Sequence, residues 1–241
     1  MPHIHRFFIG PGELAAGDRF TLRDDEAHHA LRVVRVQAGD SVALFDGRGQ
    51  EWAATVDSVT RGEVNLRITD SRRIERPVTR LALYQAWLHR DKPIEEIIRR
   101  GTEIGIQRFV YFGGRRSERT PRLSEKWQRL AVEACKQCGR LWLPEFAVEE
   151  TLESALATAR GNLLVAAVGR PSAPVRGLMS CGDISLFVGP EGDFTDEELE
   201  LLLAKGAHVI TLGDATYRSE TAAILASSIV LYECGRLGPL P

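Results

Sequence analysis

The sequence predicts an α/β protein in two unequal parts: a small β-barrel, then a larger domain of alternating strands and helices. Three observations predict it. The chain has 241 residues, more than one average domain needs. Its first seventy or so residues carry short strand-like runs broken by turn signals. Beyond Pro77 the rhythm changes to strand–helix alternation, which implies a mostly parallel sheet covered on both faces.

In the first part, strand runs are predicted at Arg6–Ile9, Arg19–Leu22, Ser41–Phe45, Glu51–Val56 and Val64–Ile68, with turns at Asp46-Gly47-Arg48-Gly49 and Arg61-Gly62. Asp24–Val34 opens on acids and then spaces its apolar residues helically, so one helix is expected there. Several short strands and one helix in so short a stretch suggest a barrel spanning residues 1–74. The polar stretch Ser71–Pro77 reads as a linker, and the second domain is expected over residues 77–241.

In the second part, Leu81–Trp87 is a strand. A helix follows from Pro93, taken as its first position, with Ile94, Ile97 and Ile98 on one face and Gly105 as its stop. Arg108–Phe112 is the next strand. Ser124 caps a long helix ending at Gly139. Thr151 opens a helix that closes near Gly161, and Leu163–Val168 and Ile184–Val188 are apolar strands. Thr195-Asp196-Glu197-Glu198 has the form of a capping box, and its helix stops at Gly206. His208–Leu212 is a strand, and Thr221–Glu233 a final apolar helix.

Composition narrows the function classes. Hydrophobic residues make up 44% and charged residues 27%, ordinary for a chain with a real core. No apolar run is long enough for a membrane span, and Met1–Arg6 lacks the features of a secretory signal, so a cytoplasmic protein is expected. Cys135 and Cys138 form a lone C-x-x-C on a helix without a second pair, and Cys181 and Cys234 read as ordinary thiols; no metal site is expected. The adjacent His28 and His29 point in different directions on a helix and lack acidic or cysteine partners at suitable spacing. The net charge is −2, yet residues 115–140 hold eight basic side chains against three acids, which suggests a local basic face.

Two strand ends concentrate the chemistry. In open α/β sheets ligands sit beyond the carboxyl ends of strands. Ile184–Val188 runs into Gly189-Pro190-Glu191-Gly192-Asp193-Phe194, and His208–Leu212 runs into Gly213–Ala222. Neither loop has the glycine pattern of a dinucleotide fold or of a triphosphate cradle. Glycines there let backbone N–H and C=O groups approach a flat base and a ribose.

Val188-Gly189-Pro190-Glu191-Gly192, the acidic capped helix, Leu212-Gly213, Arg218 and Glu220-Thr221-Ala222, in this order, resemble the RsmE family, which methylates N3 of uridine 1498 in 16S ribosomal RNA. The likeness runs over nearly the whole chain, through Arg6-Phe7-Phe8, His28–Arg35, Arg100–Gly105, Ser117-Glu118-Arg119 and Gln137–Arg140. It implies a PUA-like barrel, a SPOUT domain whose chain threads a trefoil knot, S-adenosylmethionine as cofactor, and a homodimer. It departs from the family pattern at Asp193, where a second glycine is usual, and at Asp214–Tyr217, where Pro-Arg-Ile-Leu is usual.

The resemblance implies a cofactor site of Val188, Gly189, Pro190, Glu191, Gly192, Leu212, Gly213, Tyr217, Arg218, Ser219, Thr221 and Ala222. Uridine N3 must lose a proton before it attacks, so catalysis calls for a base or for stabilised charge on the carbonyl oxygens. Arg218 is the candidate for the second role, against pairing with Glu220 or the helix end. Glu220 is a candidate base, against a structural role. Arg6, His28, Arg32 and Arg35 are candidates for contact with the 16S RNA or for the domain junction. Arg119, Arg122 and Arg140 are weighed between RNA contact and solvated surface. A methyltransferase for another RNA, and a non-catalytic RNA-binding assembly factor, remain open beside the ribosomal reading.

Overall fold

The computed structural model describes residues 4–168, 172, 175 and 182–237; Cys181 lies outside them. The chain divides into two compact units, one of residues 1–76 with 132–143, the other of residues 77–131 with 144–241.

In the first unit, strands β1 (His5–Phe8), β2 (Arg19–Leu22), β3 (Ser41–Phe45), β4 (Gln50–Val59) and β5 (Val64–Arg73) form one sheet in the order β1-β3-β4-β5-β2. The β1–β3 pair is parallel and the others antiparallel, and β4–β5 carries two register shifts, devices that curl a sheet. Its core gathers Phe7, Leu22, Leu44, Trp52, Val56, Leu66 and Ile68. Two details differ from the sequence reading. The helix predicted over Asp24–Val34 is α1 (Asp24–His28) followed by a wider π-type turn over His29–Val34. Ser71–Arg73, read as linker, continues β5: Arg72 stands opposite Glu51 and binds its carboxylate, so a stretch polar on both faces still pairs as strand.

The second unit has a six-stranded, wholly parallel sheet. Its strands are β6 (Arg80–Ala86), β7 (Arg108–Phe112), β8 (Glu145–Glu149), β9 (Asn162–Ala166), β10 (Asp183–Val188) and β11 (His208–Ile210), ordered β11-β9-β10-β6-β7-β8. Alternation along β6 and β10 sends Leu81, Leu83, Ile184, Leu186 and Val188 to one face. There they meet Ile94, Ile97 and Ile98 of α2 (Asp91–Ile104), Trp127 of α3 (Glu125–Cys138), and Ala223, Ala226 and Val230 of α6 (Ser219–Glu233). Tyr84, Val110, Val165 and Phe187 face the other way, onto Leu152 and Ala155 of α4 (Leu152–Thr158) and Leu199 and Leu202 of α5 (Asp196–Ala204).

The caps explain where helices begin. Thr151 with Ser154, and Thr195 with Glu198, form reciprocal capping boxes. Helix α2 starts at Asp91, two residues before the predicted position, so Pro93 is its third residue. It still falls among the first four N–H positions, where a missing donor breaks no helical bond. Strand β8 was not anticipated: its half-buried edge position leaves Glu145-Phe146-Ala147-Val148-Glu149 without a continuous apolar run. Burial, then the neighbouring Cys138, pushes the Cys135 thiol up to about 12, so it stays protonated at neutral pH. Among the described residues no helix is long and apolar enough to cross a membrane.

Gly161, just before β9, has φ +69°, and a Cβ there would lie 1.7 Å from the Asp183 carbonyl oxygen. Gly161→Ala is therefore expected to destabilise the protein by at least about 2 kcal/mol, from strain and backbone collision together. Urea unfolding checks this; an unchanged midpoint at unchanged slope would contradict the close approach.

Candidate functional site

Because the sheet is parallel, β9, β10 and β11 end on the same edge, side by side. Beyond their ends lies a cleft, partly open to solvent. Ala166, Ala167 and Val168 form one part of its wall; Val188, Gly189, Pro190, Glu191 and Asp193 form a second; Ile210, Thr211, Leu212, Gly213, Ala215, Thr216 and Tyr217 form a third. Ser219 and Ala222, at the start of α6, complete it. Apart from Glu191 and Asp193 this wall is apolar side chain, hydroxyl and backbone, a surface suited to an uncharged flat ligand rather than to a row of phosphates.

The loop after β10 is pinned from several sides. The Asp193 N–H donates to the Pro190 carbonyl at 3.0 Å, closing a turn. Glu191 accepts the His89 backbone N–H at 3.0 Å. The Arg116 guanidinium donates to the Gly192 and Phe194 carbonyls. Buried Glu198 accepts the N–H groups of Thr195 at 2.9 Å and Arg115 at 2.8 Å. Backbone hydrogen bonding, then the Thr195 hydroxyl, holds the Glu197 carboxyl below the usual carboxylate range. Gly189 is closely packed: a Cβ would stand 3.0 Å from both the Phe194 nitrogen and the Asp193 carboxylate, tighter than ordinary contact.

Most residues predicted to hold a cofactor meet at this cleft. Val188, Gly189, Pro190, Glu191, Leu212, Gly213, Tyr217, Ser219 and Ala222 line it, whereas Gly192, Arg218 and Thr221 do not. Arg218 is the N-cap residue of α6, exposed, and among the described residues its side chain makes no hydrogen bond or ion pair. The pairing with Glu220 that the sequence left open is not formed. Glu220, in the first turn of α6, is outside the cleft wall.

The basic candidates divide. Arg6 binds Glu51 at 3.2 Å, and Arg119 binds Asp91 at 3.0 Å and the His89 carbonyl at 2.9 Å. His28, Arg32, Arg35 and Arg122 are exposed, and Arg140 is half-buried.

Sequence reasoning missed Ala166–Val168 as a wall, because strand order alone sets β9 between β10 and β11. It also missed Gln85, a buried amide at the end of β6 that reaches Gly189 and Ser219. A glutamine closing an apolar strand run was the available signal.

With this geometry in hand, the comparisons with known proteins become decisive. Residues 75–231 match the family model described as an RNA methyltransferase domain, and residues 22–69 match an RNA methyltransferase PUA domain. The chain belongs to the RNA methyltransferase family. Proteins called ribosomal RNA small subunit methyltransferase E are similar along most of this family member. That of Synechocystis sp. is 32% identical over 232 residues, covering 92% of this chain and 75% of the relative. That of Aquifex aeolicus is 27% identical, covering 95% and 99%. Among solved structures, a putative methyltransferase of Legionella pneumophila in complex with bound cofactor SAM is 26% identical with a TM-score of 0.82, covering 95% and 97%. A probable rRNA-methyltransferase of Porphyromonas gingivalis is 27% identical with a TM-score of 0.82, covering 95% and 98%.

Asp193, the departure from the family's second glycine, sits in the left-handed region at φ 61°. Its carboxylate accepts the next N–H, that of Phe194, at 2.8 Å. Aspartate is among the few non-glycine residues that enter this region readily. Asp193→Gly should leave stability within about 0.5 kcal/mol, whereas Asp193→Val should cost about 1–3 kcal/mol. Thermal unfolding of the two variants distinguishes them; equal losses would contradict a backbone origin.

Proposed function

We propose that this RNA methyltransferase transfers a methyl group from S-adenosylmethionine to N3 of the uridine at position 1498 of 16S ribosomal RNA, in the assembled small subunit. The observation that carries the reading is the backbone-lined, apolar cleft at the carboxyl ends of β9, β10 and β11. It has the mixture of apolar wall, hydroxyl and backbone that suits an adenosine with a short amino-acid tail. The name of the Synechocystis relative and the SAM bound to the Legionella chain support it.

When bound, S-adenosylmethionine supplies an electrophilic methyl group on a sulfonium. The chain's part is positioning, the largest contribution open to an in-line displacement. Gly189, Pro190, Leu212 and Gly213 hold the donor through backbone contacts, and Tyr217, Ser219 and Ala222 bound it. Arg218, unpaired among the described residues, places its guanidinium against the uracil carbonyl oxygens and offsets the charge that grows as N3 loses its proton. Glu220 is the candidate acceptor of that proton. The first unit acts as a PUA-like barrel for RNA over residues 1–74, with His28, Arg32 and Arg35 facing phosphate and Arg6 bracing it. Arg119 and Arg122, in the methyltransferase domain over residues 77–241, and Arg140, on the segment 132–143 that belongs to the first unit, are the further candidates for RNA contact. The reading carries a trefoil knot in that domain, a cytoplasmic location and a homodimer. Leu225, Ile229 and Tyr232, exposed at helical spacing on α6, are the apolar stripe that a second copy would cover.

The deciding experiment is methyl transfer from labelled S-adenosylmethionine to small subunits lacking the modification, with the product mapped. Label at N3 of uridine 1498 is expected. Label elsewhere, or cofactor binding without label, would assign another RNA, and loss of both would leave an RNA-binding assembly factor. Arg218→Ala is expected to lower kcat on the order of 10²-fold while cofactor affinity changes little, as when a transition-state charge donor is removed. Single-turnover rates and calorimetry check the two halves, and unchanged turnover removes Arg218 from the mechanism.

A further inference from the structure

We propose that Gln85 is a positioning residue that sets the cleft's geometry by tying together its two walls, the Gly189 carbonyl and the Ser219 hydroxyl. The inference rests on the proposed use of the cleft for S-adenosylmethionine. Gln85 stands opposite Val188 in the β6–β10 register. Alternation puts it on the same face as Leu81 and Leu83, the face covered by α6. It is 1% exposed and Ser219 6%.

The hydrogen-bond polarity is closed. The Gln85 Nε2 group donates to Gly189 O at 2.9 Å and to Ser219 Oγ at 2.9 Å, with Ala86 O at 3.0 Å and Val188 O at 3.4 Å also within range. The Ser219 hydroxyl spends its own hydrogen on Gly189 O at 2.5 Å, leaving its lone pairs to accept from Gln85. Three residues far apart in the chain thus form a ring of donors and acceptors at the point where the loop after β10 meets the first residue of α6. Gly189 and Ser219 line the cleft; Gln85 does not. Its effect on a ligand must pass through them.

A purely structural filler would not be built this way. Among the described residues nothing donates to the buried Gln85 Oε1, a state that costs free energy. Flipping the amide offers no escape, because Oε1 would then face three carbonyl oxygens. The site therefore keeps an amide for its N–H groups and tolerates the orphaned oxygen. An apolar residue of equal length would satisfy the strand at no such cost, but would release the Gly189 carbonyl and the α6 terminus from each other.

The test measures S-adenosylmethionine binding by calorimetry and separates KM for cofactor from KM for RNA, using the full chain. Gln85→Met keeps length and loses the donors; about a tenfold or greater loss of cofactor affinity is expected, with KM for RNA unchanged, because displacement of a ligand-facing group is felt by that ligand. Gln85→Glu, a charge against carbonyls, should lose more. Ser219→Ala should resemble Gln85→Met, and the double variant should lose less than the sum, the mark of one shared unit. Should Gln85→Met fail to fold, Ser219→Ala carries the comparison. Unchanged cofactor affinity in a folded Gln85→Met, with or without a lower melting temperature, overturns the inference, as does additivity. A wild-type protein that does not bind S-adenosylmethionine at all would instead overturn the functional reading on which it rests.

Discussion

A wholly parallel sheet forces every connection to carry the chain back to the edge where the previous strand began. All six strand ends of the second unit therefore share one edge. The C=O and N–H groups just past those ends have no strand partner and must find other bonds. That constraint brings residues near positions 166, 188 and 212 to one cleft although the chain separates them widely. It also explains why the loops are pinned so heavily from outside. Arg116 and Gln85 donate to carbonyls of the loop after β10 that no ladder can satisfy, and the His89 N–H holds the Glu191 side chain. Remove the parallel pairing and neither the cleft nor the need for those bonds remains.

Local chemistry was legible in the sequence, and pairing order was not. The capping box at Thr195, the helix start at Thr151, the stop at Gly105 and the apolar strands β7 and β10 all follow from interactions within a few residues, so spacing reveals them. The glycine-bearing loops after β10 and β11 were legible for the same reason. Strand order depends on contacts across a hundred residues, and Ala166–Val168 could enter the site only through that order. Edge position hid β8, and the cross-strand ion pair with Glu51 hid the end of β5, since both stretches look like polar loop when read alone. Nothing local marks residues 132–143 as part of the first unit's compact contacts; the Arg48–Trp142 bridge that joins them there is long-range.

Charge was the least legible property. The basic run over residues 115–140 reads as a single face, yet its members do different work. Arg116 holds two carbonyls of the loop after β10, and Arg119 braces His89 and Asp91. Lys136, only 7% exposed at its side chain, is enclosed between Glu26 and Glu133. A buried cation of that kind is kept by its partners, since removing one leaves an uncompensated charge. Arg122 and Arg129 remain exposed. A count of cations thus overstates the surface open to phosphate, because a guanidinium with five donors is as useful for tying backbone as for meeting RNA.

Two energetic irregularities of the second unit adjoin the cleft. Asp193 occupies the left-handed region, and Gln85 Oε1 is a buried acceptor without a donor among the described residues. Both lie at the loop after β10, and neither is needed to build the sheet, whose strands pair in regular register. A protein selected for stability alone would replace the amide of Gln85 by an apolar residue. Strain of this kind persists where the surrounding structure over-determines it, and it concentrates at ligand sites because pre-organised polar groups are worth their cost there. The same loop has its carbonyls held by Arg116, Gln85 and Ser219, which fixes its backbone before any ligand arrives. Holding the loop still shifts the ordering cost from the binding step to the folding of the chain, and that is the physical reason for keeping the amide at Gln85.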